Sequence, residues 1–194
     1  MAAEYQLALD LVTPEDADSR QRELLDTAKS RLGFVPNMYA AMVNSPGVLD
    51  TYLHGYQLFR EESKFSPPEQ EVVFLAISRE NGCHYCMAAH SMLAENQSDV
   101  PAPVLQAIRD GEKIDDAKLA ALARFTQRMV QTRGLPTQAD VQAFLDAGYT
   151  ERHILDIVLA QSVKTLSNYS NHLFHTEVDS VFANYRWSPA DQAA

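Results

Sequence analysis

Apolar positions recur every three or four residues along most of this chain, the period of a helix facing a core, and no run of five or more residues alternates as a strand would. Three starts pair a capping hydroxyl with a proline suited to the first helical turn: Thr13-Pro14, Ser45-Pro46 and Ser66-Pro67. They predict helices over 14 to about 31, closed at Gly33, over 46 to about 61, and over "SPPEQEVVFLAISRE" up to Asn81-Gly82. A short helix at 36–43 fits between the first two, and a new helix should begin at Cys83. Further helices are expected over 101–111, 115–134, between Thr137 and Gly148, from Thr150 to about Phe174, and over 177–184, before "RWSPADQAA" frays. The longest of these carries Ile154, Leu155, Ile157, Val158, Val163 and Leu166 around most of its circumference, which suits the centre of a bundle or a contact with another subunit.

The expected fold is therefore an all-α bundle, with a Cys-x-x-Cys at the start of a mid-chain helix. At 194 residues with 46% hydrophobic content, residues 1–194 fit one domain: a helical N-terminal segment at about 14–61, a core at about 66–131 and C-terminal helices at about 137–187. The excess of 26 acidic over 16 basic residues, with no basic run, speaks against nucleic acid as a partner. The longest apolar run, "VVFLAI" at 72–77, is far too short to span a membrane, and the opening "MAAEYQLALD" does not resemble an export signal. A soluble, cytoplasmic protein is expected.

Charge and length leave the chemistry open; the cysteines narrow it. Cys83 and Cys86 are the only two, and a close pair in a reducing compartment reads as redox-active or metal-binding. On a helix from Cys83 they share one stripe with Met87, His90, Leu93 and Ala94. The positive end of such a helix favours a thiolate at its first residue, Cys83, while His90 lies one turn beyond Cys86, within reach of its proton. Glu71, on the preceding helix, could fold back over this stripe through a tight Asn81-Gly82 turn. Half-buried there, its carboxyl should have a raised pKa suited to proton relay. Two other readings stand beside this one. The cysteines could be small core residues, or Cys83, Cys86 and His90 could ligate zinc with a fourth ligand from His84, His172 or His175. His172 and His175 read more simply as polar points on a helix or at a subunit contact.

The longer pattern of Glu71, eleven residues, then Cys83-x-x-Cys86-x-x-x-His90 resembles the signature of AhpD-like proteins in the carboxymuconolactone decarboxylase superfamily. The flanks "LGFVPNMYAAMVNSPGVLDTYLHGY" and "NYSNHLFHTEVDSVFANYRW" resemble those of the alkylhydroperoxidase-like, peroxidase-related branch. The resemblance implies thiol-dependent peroxide reduction, with Cys86 as peroxidatic cysteine, Cys83 as its resolving partner, and His90 with Glu71 as proton relay. It further implies a hydroperoxide substrate, an external dithiol or protein thiol as reductant, no bound flavin, haem or metal, and assembly into trimers or hexamers. Its decarboxylases generally lack the cysteine pair. One position departs: Tyr85 stands where the familiar pattern has histidine, with His84 one place earlier, so a proton donor beside Cys83 is missing or displaced.

Overall fold

The computed structural model describes residues 4–188, and among them there is no strand. Nine α-helices are described: α1 (Ser19–Leu32), α2 (Asn37–Met42), α3 (Pro46–Glu62), α4 (Pro67–Glu80), α5 (His84–Asn96), α6 (Ala102–Asp110), α7 (Ala117–Gln131), α8 (Gln138–Asp146) and α9 (Glu151–Phe174). An all-α bundle, as expected, is the result.

Most boundaries follow their local chemistry. Ser66 and Glu69 close a capping box at the start of α4 with a proline in its first turn, and Thr137 with Asp140 does the same for α8. The first helix is a correction. Thr13-Pro14 forms a turn in which the Thr13 carbonyl accepts from the Asp16 and Ala17 amides, and α1 begins five residues after Pro14. There Asp18 accepts from the Arg20 and Gln21 amides, and the Gln21 side chain returns the bond to the Asp18 amide. A reciprocal box satisfies more of a helix's orphan donors than a Thr-Pro pair can.

α4, not α9, occupies the centre. Six consecutive apolar residues give α4 no polar face, and it packs against α5, α6, α7 and α9 with Val72 to Ile77 wholly buried. Of the two places that its sequence suits, the centre of a bundle or a contact with another subunit, the distribution of residues on α9 does not match the first. Its inner side buries Ile157, Ala160 and Val163 but also the polar Asp156, Lys164, Ser167, Asn168 and Asn171. Leu155, Val158, Tyr169 and Leu173 lie on its outside, each 44% exposed or more. α3 packs closely on α9 because Gly55 leaves room: a Cβ there would sit 2.9 Å from Val163 Cγ2.

The C-terminal segment also differs from expectation. Residues 176–179 form no helix, and a 3-10 turn, Ser180–Tyr185, replaces the helix expected over 177–184. Arg186 and Trp187 do not fray. Trp187 is buried, its Nε1 donates to the Arg109 carbonyl at 2.8 Å, and Arg109 in turn donates to the Tyr185 and Arg186 carbonyls. The rest of the expected fraying, 189–194, lies outside the described residues.

Candidate active site

The helical hairpin α4–α5 turns on Asn81-Gly82, where Gly82 adopts φ +68°, a conformation glycine tolerates without cost to a side chain. The turn makes Cys83 the N-cap of α5, its amide bonded to the Ser78 carbonyl at 2.8 Å, and sets Cys86 in the first helical turn. Both thiols are free and buried, at 0% and 1% exposure. Asn171 of α9 bridges them, its Nδ2 lying 3.4 Å from Cys86 Sγ and 3.7 Å from Cys83 Sγ, and Ser167 Oγ is 3.8 Å from Cys86 Sγ.

The hairpin also brings Glu71 to His90, as the spacing suggested. Glu71 Oε2 accepts from His90 Nδ1 at 2.8 Å, and its other oxygen is bonded by Arg60 of α3. Because a carboxylate can only accept, Nδ1 carries the hydrogen and Nε2 keeps its lone pair free as a base. Arg60 is held in turn by Tyr56 Oη at 2.7 Å and lies over the Tyr56 and Phe74 rings, 4.9 Å from each centroid. Sequence reasoning missed this arginine, and with it the state of the carboxyl. Glu71 is fully buried rather than half-buried, and its pKa is lowered, not raised: burial pushes it up, but His90 and Arg60 outweigh burial. Glu71 is thus an ionised orienting group. His90 has a lowered pKa, because burial and the nearby Lys164 outweigh the pull of Glu71, so the imidazole is neutral near pH 7.

The two thiols diverge. Burial raises Cys83 and Cys86 alike. At Cys86 it is overcome by the Cys83 thiol donating to it, by the positive charge of Lys164 and by His90 once that ring carries a proton, which together hold Cys86 well below a free thiol. Cys83 is pushed well above, by burial first and then by the bond and charge it shares with Cys86. The helix start, which taken alone favours Cys83, is therefore the weaker influence. Lys164 was not foreseen: no motif marks it, and only the packing of α9 on α5 sets it beside the thiols.

The other histidines do not join the pair. His84 Nδ1 is 3.0 Å from the Trp187 carbonyl, His175 is exposed at the end of α9, and His172 stacks beside Tyr169. Among the described residues, no three His, Cys, Asp or Glu side chains converge as metal ligands, so the zinc reading finds no ligand set in this geometry. Tyr85 is no stand-in for the missing histidine: its hydroxyl bonds Asp179 Oδ2, and Asp179 also accepts from the Asn37 amide, so Tyr85 pins the C-terminal segment. A cleft of about 1000 Å³ reaches Cys83 but not Cys86. Tyr5, Val178 and Trp187 give it apolar walls, and Asn171 and His172 line its floor.

These features define an all-α protein with a buried dithiol whose two thiols are shifted in opposite directions. Residues 46–128, which contain every member of the pattern from Glu71 to His90, match the model of the carboxymuconolactone decarboxylase family. The chain resembles a solved uncharacterized peroxidase-related protein with an alkylhydroperoxidase AhpD core from Ralstonia eutropha JMP134, at TM-score 0.78 and 18% identity, over 90% of this chain and 93% of that one. It resembles equally an uncharacterized peroxidase-related protein from Silicibacter sp. TM1040, at TM-score 0.75 and 20% identity, over 93% and 95%. The debrominase Bmp8, solved as a cysteine-to-alanine variant with 2,3,4-tribromopyrrole, superposes at TM-score 0.76 and 14% identity over 94% and 97%. No curated protein matches the chain in sequence. The family match thus spans residues 46–128, and the likeness to the solved structures, at 14–20% identity, is one of fold. No helix among the described residues is long and apolar enough to cross a membrane.

Proposed function

We propose that the protein is a thiol-dependent peroxidase that reduces hydroperoxides through a Cys83–Cys86 dithiol/disulfide cycle. The observation that carries this reading is the buried, acidified Cys86 beside a His90 that Glu71 orients at 2.8 Å. His90 Nε2 takes the Cys86 proton, and the thiolate attacks one peroxide oxygen. The O–O bond breaks, an alkoxide or hydroxide leaves and is protonated from His90, and Cys86 becomes a sulfenic acid. Cys83 then attacks that sulfur, expelling water and closing the disulfide.

Two electrons must return from an external dithiol. Its attack falls on Cys83, the sulfur that lines the cleft, and expels Cys86 as the better leaving thiolate. A protein disulfide as oxidant would have to reach a sulfur at most 1% exposed, which a small hydroperoxide does more readily. The exposed apolar side of α9 supports assembly of the protein into a trimer or hexamer, measurable by light scattering. The deciding experiment offers wild-type and Cys86→Ser protein an organic hydroperoxide with a dithiol donor. Turnover by wild type alone, with a Cys83–Cys86 bond in the mass spectrum after peroxide, is expected; full activity in the serine variant would sink the reading.

A further inference from the structure

Lys164 is an anomaly in the bundle. Its side chain is 0% exposed, yet its Nζ has no hydrogen-bond partner among the described residues. An ammonium brings three donors, and burying such a charge without an anion is strongly unfavourable. Position tells where the anion belongs. Nζ lies 5.4 Å from the centroid of Phe74, the ring that also packs on His90 at 4.8 Å. One turn along α9, Ser167 Oγ donates to the Lys164 carbonyl at 3.3 Å and sits 3.8 Å from Cys86 Sγ.

The groups around Cys86 leave a single vacancy in the charge pattern. On α5 there are Cys83, Tyr85 and the neutral His90; on α4, Glu71; on α3, Arg60, Tyr52 and Tyr56; on α2, Tyr39; on α9, Lys164 and His172, whose pKa burial lowers so that it too is neutral near pH 7. Glu71 is matched by Arg60 and saturated through both oxygens by Arg60 and His90. The four tyrosines are held as neutral phenols by burial. Among these described residues one cation is unmatched, and the one group able to become its anion is Cys86.

We propose that Lys164 is a positioning residue of the redox site, its buried ammonium serving as counter-cation to the Cys86 thiolate. Ionisation moves the Cys86 proton onto His90 Nε2 and leaves the sulfur anion in the field of the ammonium. The proposal rests on the thiol reading of the site, but not on peroxide being the oxidant.

The test titrates the reduced protein by thiolate absorbance and by the rate of iodoacetamide alkylation, located on Cys86 by mass spectrometry. Wild type should show one thiolate at neutral pH, kept in Cys83→Ser and lost in Cys86→Ser. Lys164→Met, close in shape and uncharged, should move the alkylation midpoint up so that the rate at pH 7 falls about tenfold or more and recovers at higher pH. Lys164→Gln should do the same. A merely structural lysine would lower the melting temperature without moving the midpoint. An unmoved midpoint in a folded variant overturns the proposal, and so does a wild-type protein with no thiolate at pH 7, whether or not the variants fold. Peroxide turnover, assayed separately, discriminates the two claims: a shifted midpoint in an enzyme that ignores peroxide removes the peroxidase reading and leaves the role of Lys164 standing.

Discussion

Cys83 and Cys86 are three residues apart on one helix start, yet they face opposite kinds of surroundings. Around Cys86 lie Lys164, His90, Arg60 and Glu71, every one more than two-thirds buried. Cys83 looks out past Asn171 into a cleft walled by aromatic side chains. Water is excluded on the inner side, so charges there act at close to full strength; on the outer side they are screened and shape matters more. The contrast teaches that the asymmetry of a Cys-x-x-Cys is set by its neighbours, which here override the preference of the helix end for Cys83.

The hardest blow to that asymmetry is removal of the inner sulfur. Cys86→Ser should cut peroxide turnover by about three orders of magnitude or more, read as peroxide consumption with saturating dithiol. Cys83→Ser should instead retain a single stoichiometric reduction, trapped as a Cys86 sulfenic acid by a dimedone-type reagent. Next comes Glu71→Gln, which strips Arg60 of its carboxylate in a dry site. A loss of about 3 kcal/mol in denaturant unfolding is expected, with turnover down about 100-fold as His90 loses its fixed orientation.

Acid attacks the same side more gently. Glu71 and His90 both have folded pKa values below their ordinary ones, so the unfolded chain binds more protons than the native one as pH falls, and stability must fall with it. The His90 contribution is fully present above its ordinary value of 6.5 and drains away as pH drops below it; that of Glu71 is present above 4.5 and is lost through its lower folded value. Thermal melts from pH 7.5 to well below 4.5 should therefore decline in two stages, and Glu71→Gln should remove the second. The smallest effect belongs to the outer side. Tyr85→Phe deletes the hydroxyl that holds Asp179 and should cost about 1 kcal/mol, leaving the thiol midpoint unmoved.

How much of this could be read from the chain follows the range of the interactions. The helices and most of their ends were legible because caps, prolines and apolar period are local; the start of α1 was misread because the Asp18–Gln21 box is stronger than the Thr13-Pro14 signal that precedes it. Glu71 and His90 were legible because a hairpin with a tight turn fixes their juxtaposition. Arg60, eleven residues before Glu71 and on another helix, and Lys164, far downstream on α9, carry no spacing that links them to the thiols. Without those two cations the carboxyl seemed to have a raised pKa, and the helix end, favouring Cys83, could not be ranked against the resemblance, which makes Cys86 the reactive thiol. Both gaps come from one source: electrostatic partners gathered by tertiary packing, which no periodicity records.

The segment 176–187 crosses the outer side of the dithiol, tied by Tyr85 to Asp179, by His84 to the Trp187 carbonyl and by Arg109 to two of its carbonyls. Trp187 is the chain's sole tryptophan, its ring 6.0 Å from that of His84 and next in line to the cleft. The molecule thus carries its own optical gauge. Emission from a single indole, quenched or shifted as His84 and the cleft around it change, reports on the doorway to Cys83 without any label, in stopped flow and in real time.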